Sequence, residues 1–189
     1  MRVWRCRAIT MDKKMKLLFE NWRQYLTENI GREIWYHLTT PNRAEIIEEE
    51  GLKINQEACL TTETGKWANK YYETCPIYLS LEPYIKREEL PEWDLEDATL
   101  FEVDATGLIL VADLQMLIDK GAYVDQDSEE LWWRENEEPE MLKGFLGDGA
   151  IEISRLLNVP EIIDAAIQTT KTAAVMENIE PGRITRSSY

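Results

Sequence analysis

The segment Ile34-Trp35-Tyr36-His37-Leu38-Thr39-Thr40 is an apolar run that breaks directly into Pro41, and this break constrains the fold more than any other feature of the chain. Aromatic and β-branched residues in such a run predict an extended strand. Thr40 can cap, and Pro41 can occupy the first turn of, a helix that begins at once, because proline's fixed φ suits that position and its missing N–H is not needed there. The helix is expected to turn Ala44, Ile46 and Ile47 inward and to stop at Gly51, after which Leu52 re-enters the core. The same run holds the only histidine of the chain, His37. An imidazole titrates near neutrality and can donate from one nitrogen while accepting at the other. Position alone leaves two alternatives open: an ordinary strand histidine bonded to a neighbouring backbone group, or a functional imidazole at a strand end.

The chain has 189 residues, enough for one domain with an appendage that buries roughly 70% of its unfolded surface. Seven Trp and eight Tyr supply large anchors for a core or a ligand cleft. Thirty-six acidic against 21 basic residues leave a net charge of -15, which repels phosphate backbones and disfavours broad nucleic-acid binding. Cys6, Cys59 and Cys75 are odd in number, far apart and without a Cys-x-x-Cys pair, so neither a disulfide framework nor a zinc site is expected, and a reducing, cytoplasmic compartment fits. No apolar run approaches the roughly 18 residues of a membrane span, and the basic start lacks the apolar stretch of a secretory signal.

From Asp12 to about Glu28, Leu17, Leu18, Trp22, Tyr25 and Leu26 recur at helical spacing, which predicts an amphipathic helix ending near Gly31. Residues 1–30 are therefore expected to form an N-terminal extension and 31–189 the main domain. Met11 and Met15 are equally good starts. Residues 55–70 read as a polar loop running into a short helix. Pro76 to Ser80 and Leu100 to Asp104 read as strands, with an acidic loop containing Pro91 between them. Alternation puts Ile77 and Leu79 on one side and Tyr78 and Ser80 on the other, just as Tyr36 and Leu38 oppose Trp35, His37 and Thr39. His37, Thr39, Tyr78 and Ser80 are thus expected to line one cleft. Residues 125–140 carry eight acids around Trp132-Trp133, a solvated face or a lid whose tryptophans could cap a ligand. Gly149 to Ile153 is strand-like, Pro160 to Gln168 helix-like and Thr172 to Met176 strand-like.

Several chemistries are excluded. One histidine cannot make a His-x-x-x-His metal pair, and no metal site is expected. Gly65-Lys66-Trp67 lacks the rest of a phosphate loop, and neither Gly-x-Gly-x-x-Gly nor Gly-x-Ser-x-Gly occurs. A nucleophilic pair of Cys59 with His37 has no local signature to support it.

What remains is an ordered set: Tyr36-His37-Leu38-Thr39, the helix from Asn42 to Gly51, Ile77-Tyr78-Leu79-Ser80, Phe101-Glu102-Val103-Asp104, and a closing Val175, Ile179-Glu180-Pro181 and Ile184. This order resembles the ADP-ribosyltransferase fold superfamily, which includes RNA 2′-phosphotransferases and small phage and bacterial members with a His-x-Thr first strand and a Tyr-x-Ser second strand. The resemblance covers residues 34 to 184. It implies an α+β fold, a split pair of small, mostly antiparallel sheets with flanking helices, gripping NAD as substrate. By resemblance, His37 would bond the adenosine ribose, the Leu38 backbone the nicotinamide amide, Thr39 would support the ribose, Tyr78 would stack on nicotinamide and Ser80 would buttress the cleft. Arg43, at the helix start, is a candidate partner for the pyrophosphate.

Cleaving the bond from nicotinamide to ribose develops oxocarbenium character, which a carboxylate can stabilise. The family's acidic position falls near Thr172, where no acid stands, so Glu177 and Glu152 are the candidate catalytic carboxylates. Leu38 is a second departure, because many relatives have glycine after the histidine. The expected activity is transfer of ADP-ribose to a protein or small-molecule acceptor. One alternative is an RNA 2′-phosphotransferase, which would need Arg43, Arg155 and Arg183 to converge on phosphates. The other is a non-catalytic interaction or virion-associated protein that keeps the fold, since Lys16 to Leu26 resembles a leader helix of tailed-phage proteins and could tie the chain to a phage particle.

Overall fold

A computed structural model describes residues 33–54, 70–83, 98–125 and 127–187. The predicted helix at Asp12–Glu28, the loop at 55–69 and the acidic loop around Pro91 lie outside the described residues. Within them the chain is α+β, with two antiparallel sheets. The first strand, β1 (Ile34–Thr39), leads into α1 (Pro41–Glu50), with Pro41 in the first turn as the sequence predicts. Thr40 is the extended residue before the helix, but its hydroxyl makes no capping bond; the turn closes through Arg43 N–H donating to the Thr40 carbonyl at 3.0 Å. Ala44 and Ile47 are buried, whereas Ile46, expected inside, is 55% exposed.

Gly51 ends α1 with φ +82°, its N–H donating to the Ile47 carbonyl. Leu52 and Ile179 then exchange N–H···O=C bonds of 2.9 Å each, so the two chain segments touch backbone to backbone. A side chain at position 51 would collide with the Ile179 carbonyl oxygen. Glycine is needed there for space as well as for its positive φ.

The larger sheet continues with β2 (Ile77–Ser80), β3 (Thr99–Asp104), β4 (Leu110–Ala112), β8 (Thr172–Val175) and β9 (Ile184–Arg186), in the spatial order β4-β8-β2-β1-β3-β9. Ladders run along β1 and β3 from Ile34 opposite Asp104 to Thr39 opposite Thr99, and along β2 and β8 from Ile77 opposite Val175 to Ser80 opposite Thr172. β1 and β2 pair only at Tyr36 opposite Ser80. The sheet is therefore two halves, β4-β8-β2 and β1-β3-β9, joined at one point. The smaller sheet is β5 (Tyr123–Asp125), β6 (Glu130–Trp132) and β7 (Ala150–Glu152). Strand character at 149–153 stops one residue early, because Ile153 already begins α3 (Ile153–Asn158).

Between β4 and β5 lies α2 (Leu114–Asp119), and α3 is followed by α4 (Pro160–Thr170). One core cluster packs Trp35, Phe101, Val103, Ile77 and Leu79 of the larger sheet against Ala44 and Ile47 of α1. The other packs α2, α3 and the smaller sheet around Leu114, Leu131, Ile151 and Leu156. α4 serves both, with Ile163 and Ile167 in the first and Ile162, Ala165 and Ala166 in the second, as helical spacing allows. Each fully buried large side chain contributes about 1.5–3 kcal/mol. Trp133, read as part of a ligand cap, is 3% exposed and belongs to the second cluster. Cys75 is disulfide-bonded, against the expectation of free thiols; its partner lies outside the described residues. Among the described residues no helix is long and apolar enough to cross a membrane.

Candidate functional site

Beyond the single pair of Tyr36 and Ser80, β1 and β2 part, and a cleft of about 610 Å³ opens between them, walled by α1 on one side and α2 on the other. Backbone parity decides what faces the gap. Ala105 N–H donates to the Glu33 carbonyl, which makes Glu33, Trp35, His37 and Thr39 the residues whose main-chain groups bond β3. Tyr36 and Leu38 then direct theirs to the opposite side, toward β2. Likewise, Leu81 N–H donating to the Lys171 carbonyl commits Leu81, Leu79 and Ile77 to β8, so Ser80 and Tyr78 face β1. The N–H and C=O groups of Leu38 and Tyr78 therefore point into the space where the strands separate.

Six residues singled out in the sequence line this cleft: His37, Leu38, Thr39, Arg43, Tyr78 and Ser80. The route differs from the one alternation predicts. Tyr36 opposite Ser80 puts Tyr36, Leu38, Tyr78 and Ser80 on one face of the sheet and His37 and Thr39 on the other. They meet because the cleft passes between strands instead of lying over one face.

The His37 imidazole reaches across the gap, its Nδ1 3.0 Å from the Tyr78 carbonyl oxygen. A carbonyl can only accept, so Nδ1 carries the proton and Nε2 is left as an acceptor. Burial pushes the His37 pKa below its ordinary 6.5; the bond to Tyr78 opposes this and the nearby Arg43 charge adds to it. At neutral pH the ring is uncharged. The functional and structural alternatives thus coexist in one side chain, with one nitrogen fixed to the backbone and the other available as an acceptor. Ser80 is buried, and its hydroxyl donates to the Glu82 carbonyl at 2.8 Å, which suits a buttress. The Tyr78 side chain is 36% exposed, and burial, aided by the Asp113 charge, holds its phenol well above the usual range. It stays protonated.

Neither candidate carboxylate reaches the cleft. Glu177 lies past the end of β8 and accepts from Ile109 N–H at 3.3 Å. Glu152 sits in the smaller sheet, exposed, with its carboxylate accepting from the Ser154 hydroxyl. The arginines do not converge either: Arg155 donates to the Phe145 carbonyl and Arg183 to the carbonyls of Asp104 and Thr106, leaving Arg43 alone at the cleft.

Three acids line the cleft, Glu50, Asp113 and Asp119, and of these Asp113 is the buried one. It is 4% exposed and precedes α2, with Met116 N–H donating to its Oδ1 at 3.0 Å. Burial raises its pKa, while that N–H and the neighbouring Thr172 hydroxyl oppose the rise. The Thr172 hydroxyl is itself buried beside that carboxyl. An aspartate directly before the apolar spacing of Leu114, Leu117 and Ile118 is a helix-start signal, and that is the sequence clue that marks Asp113. Among the described residues no cluster of His, Cys, Asp or Glu could hold a metal ion.

No protein-family model, curated protein or solved structure matches the chain. The functional reading therefore rests on the cleft itself. It offers a neutral imidazole acceptor, main-chain donors and acceptors between parted strands, an aromatic face, one guanidinium and one buried carboxyl.

Proposed function

We propose that the cleft binds NAD and that the protein is an ADP-ribosyltransferase-like enzyme transferring ADP-ribose to a protein or small-molecule acceptor. The observation that carries this is the parting of β1 from β2 after Tyr36 and Ser80, which gathers His37, Leu38 and Tyr78 in one cleft between two sheet halves. Two three-stranded antiparallel halves flanked by helices are also what the superfamily resemblance implies, which supports that finer fold assignment.

Each group suits its role. A neutral His37 whose Nδ1 is occupied can accept a ribose hydroxyl proton at Nε2. The Leu38 N–H and C=O can complement a carboxamide, which offers one acceptor and two donors. The Tyr78 ring offers an apolar face to an aromatic base, and Arg43 a bidentate partner for a phosphate. When the bond from ribose C1′ to nicotinamide breaks, its electron pair leaves with the ring nitrogen, which becomes neutral. The cation left on ribose is captured by the acceptor, which loses a proton.

Wild type, His37→Ala and Tyr78→Ala should be titrated with NAD by calorimetry and assayed for transfer of labelled ADP-ribose. Wild-type binding, weakened by about 5- to 150-fold in both variants, is expected from the loss of one hydrogen bond or one stacking surface, each worth about 1–3 kcal/mol. Absence of wild-type binding sinks the proposal. A second reading is favoured by the distance of Glu177 and Glu152 from the cleft: a dinucleotide-binding protein that does not turn its ligand over, as a virion-associated protein could be. Binding without any release of nicotinamide would select it. The RNA 2′-phosphotransferase reading lacks its converging arginines.

A further inference from the structure

We propose that Asp113, assisted by the Thr172 hydroxyl, is the carboxylate that faces the ribosyl cation; this rests on the reading of the cleft as an NAD site. Three observations carry it. Asp113 lies in the wall of the same cleft as His37, Leu38 and Tyr78, on the α2 side. Its backbone cannot wander, because the Tyr72 hydroxyl donates to the Ala112 carbonyl at 2.7 Å and accepts from Leu114 N–H at 2.8 Å, clamping the residues on either side. Thr172, which also lines the cleft and is 5% exposed, sets its buried hydroxyl beside the Asp113 carboxyl, where it favours the ionised form. A hydroxyl beside a buried carboxyl holds that group in one orientation and favours its ionised form, which is what a carboxylate aimed at a developing cation needs.

The pairing also answers why β8 has threonine where the family resemblance calls for an acid. Thr172 is adjacent to Ser80 in the ladder, and the charge comes instead from the start of α2, against the same end of β8. A carboxylate fixed in a buried wall stabilises a developing positive charge more than one free in solvent does. The titratable groups facing Asp113 are Tyr72 and Tyr78, both held protonated, and Asp119 of its own helix, whose charge disfavours a second anion nearby. A cationic pyridinium in the cleft would favour the ionised acid. In the step itself the C1′–N bond breaks, nicotinamide leaves with the electron pair, the carboxylate faces C1′ without bonding to it, and the acceptor oxygen bonds C1′ while its proton passes to water.

Asp113→Asn keeps the shape and the helix cap, since asparagine caps as well as aspartate, and removes only the charge. The test measures NAD affinity by calorimetry and nicotinamide release under single turnover, with water as acceptor, for wild type, Asp113→Asn, Thr172→Val, Glu152→Gln and Glu177→Gln. We expect Asp113→Asn to melt no lower than wild type, to bind NAD within about tenfold and to release nicotinamide at least about 100-fold more slowly. Thr172→Val should lower the release rate by a smaller factor at similar affinity. An Asp113→Asn rate within threefold of wild type overturns the assignment while leaving the NAD site standing, as does a loss confined to Glu177→Gln or Glu152→Gln. Wild-type binding without release overturns it in favour of the non-catalytic reading, and absence of wild-type NAD binding removes both the site and the assignment.

Discussion

Tyr72→Phe removes one oxygen atom and tests how the cleft wall is held. The side chain is 4% exposed, and its hydroxyl donates to the Ala112 carbonyl and accepts from Leu114 N–H, joining the last residue of β4 to the first residue of α2. Ala112 and Leu114 are both 0% exposed, so water cannot replace the lost partner without opening the core. Each buried main-chain group left unsatisfied costs about 1–3 kcal/mol; with the ring retained, the two together cost about 2–6 kcal/mol. That is a large part of the 5–15 kcal/mol typical of a domain. Urea unfolding should show a midpoint lowered by about 1–3 M at unchanged m, using a slope of about 2 kcal/mol/M. Because the two groups flank Asp113, the cycle of Tyr72→Phe with Asp113→Asn should be non-additive by more than about 0.5 kcal/mol. The hydroxyl also leaves an alkaline signature. Burial holds its pKa above the ordinary 10, so above that pH the unfolded chain loses a proton the native state keeps, and stability falls as pH rises. Tyr72→Phe should lack its share of that fall. A loss below about 0.5 kcal/mol, with additive behaviour, would refute the clamp.

The same reasoning reaches two other positions. Gly51→Ala combines a positive φ with a collision against the Ile179 carbonyl, so a loss on the order of 3 kcal/mol or more is expected; an unchanged thermal melt would show that the two segments do not approach as described. For His37, native burial keeps the ring neutral while the unfolded ring takes a proton near 6.5. Stability should therefore fall as pH drops from about 6.5 toward the lowered native value and then level off. NAD affinity should hold through that range and fall only as pH passes below the lowered native value and Nε2 ceases to accept, and a His37→Gln protein that still showed that pH dependence would assign it to another group.

The strand-to-helix break at Pro41 was legible because it is local: period and proline geometry decide it within a dozen residues. The same holds for β2, β3 and α4, whose apolar spacing is long enough to read. β4, β5, β6 and β9 are three residues each and carry too little periodicity to be seen, whereas β7, equally short, shows in the Ala150-Ile151 pair after Gly149. The insertion of β8 between β4 and β2 is a pairing across about 60 to 100 residues that no local pattern encodes. Site residues followed the same division. His37, Thr39, Tyr78 and Ser80 sit on readable strands and come together, while Glu177, on the strand face of Ala173 and Val175, and Glu152, on the preceding strand-like segment, are candidates by position along the chain, which does not measure nearness in space. Asp113 comes to Thr172 only because β4 pairs with β8, through Ala112 opposite Ala173.

The distribution of charge within the cleft reconciles a net charge of -15 with a phosphate-bearing ligand. Screening limits bare Coulomb interactions to about 8 Å at physiological ionic strength, so the global charge weighs against an extended polyanion that runs along the surface more than against a compact dinucleotide seated in a cleft. The lining charges are divided by element. Arg43 and Lys53 stand on the α1 side with Glu50, and Asp113 and Asp119 on the α2 side. NAD is itself polarised, with anionic pyrophosphate in the middle and a cationic pyridinium at one end. Bound as proposed, its pyrophosphate meets the guanidinium at the start of α1 and its pyridinium the acids of α2, whereas the reverse orientation sets phosphate against carboxylate. For NAD bound as proposed, this field would favour the direction that the Leu38 main chain and the Tyr78 ring, which lie between the two walls, require for the nicotinamide to rest beside Asp113.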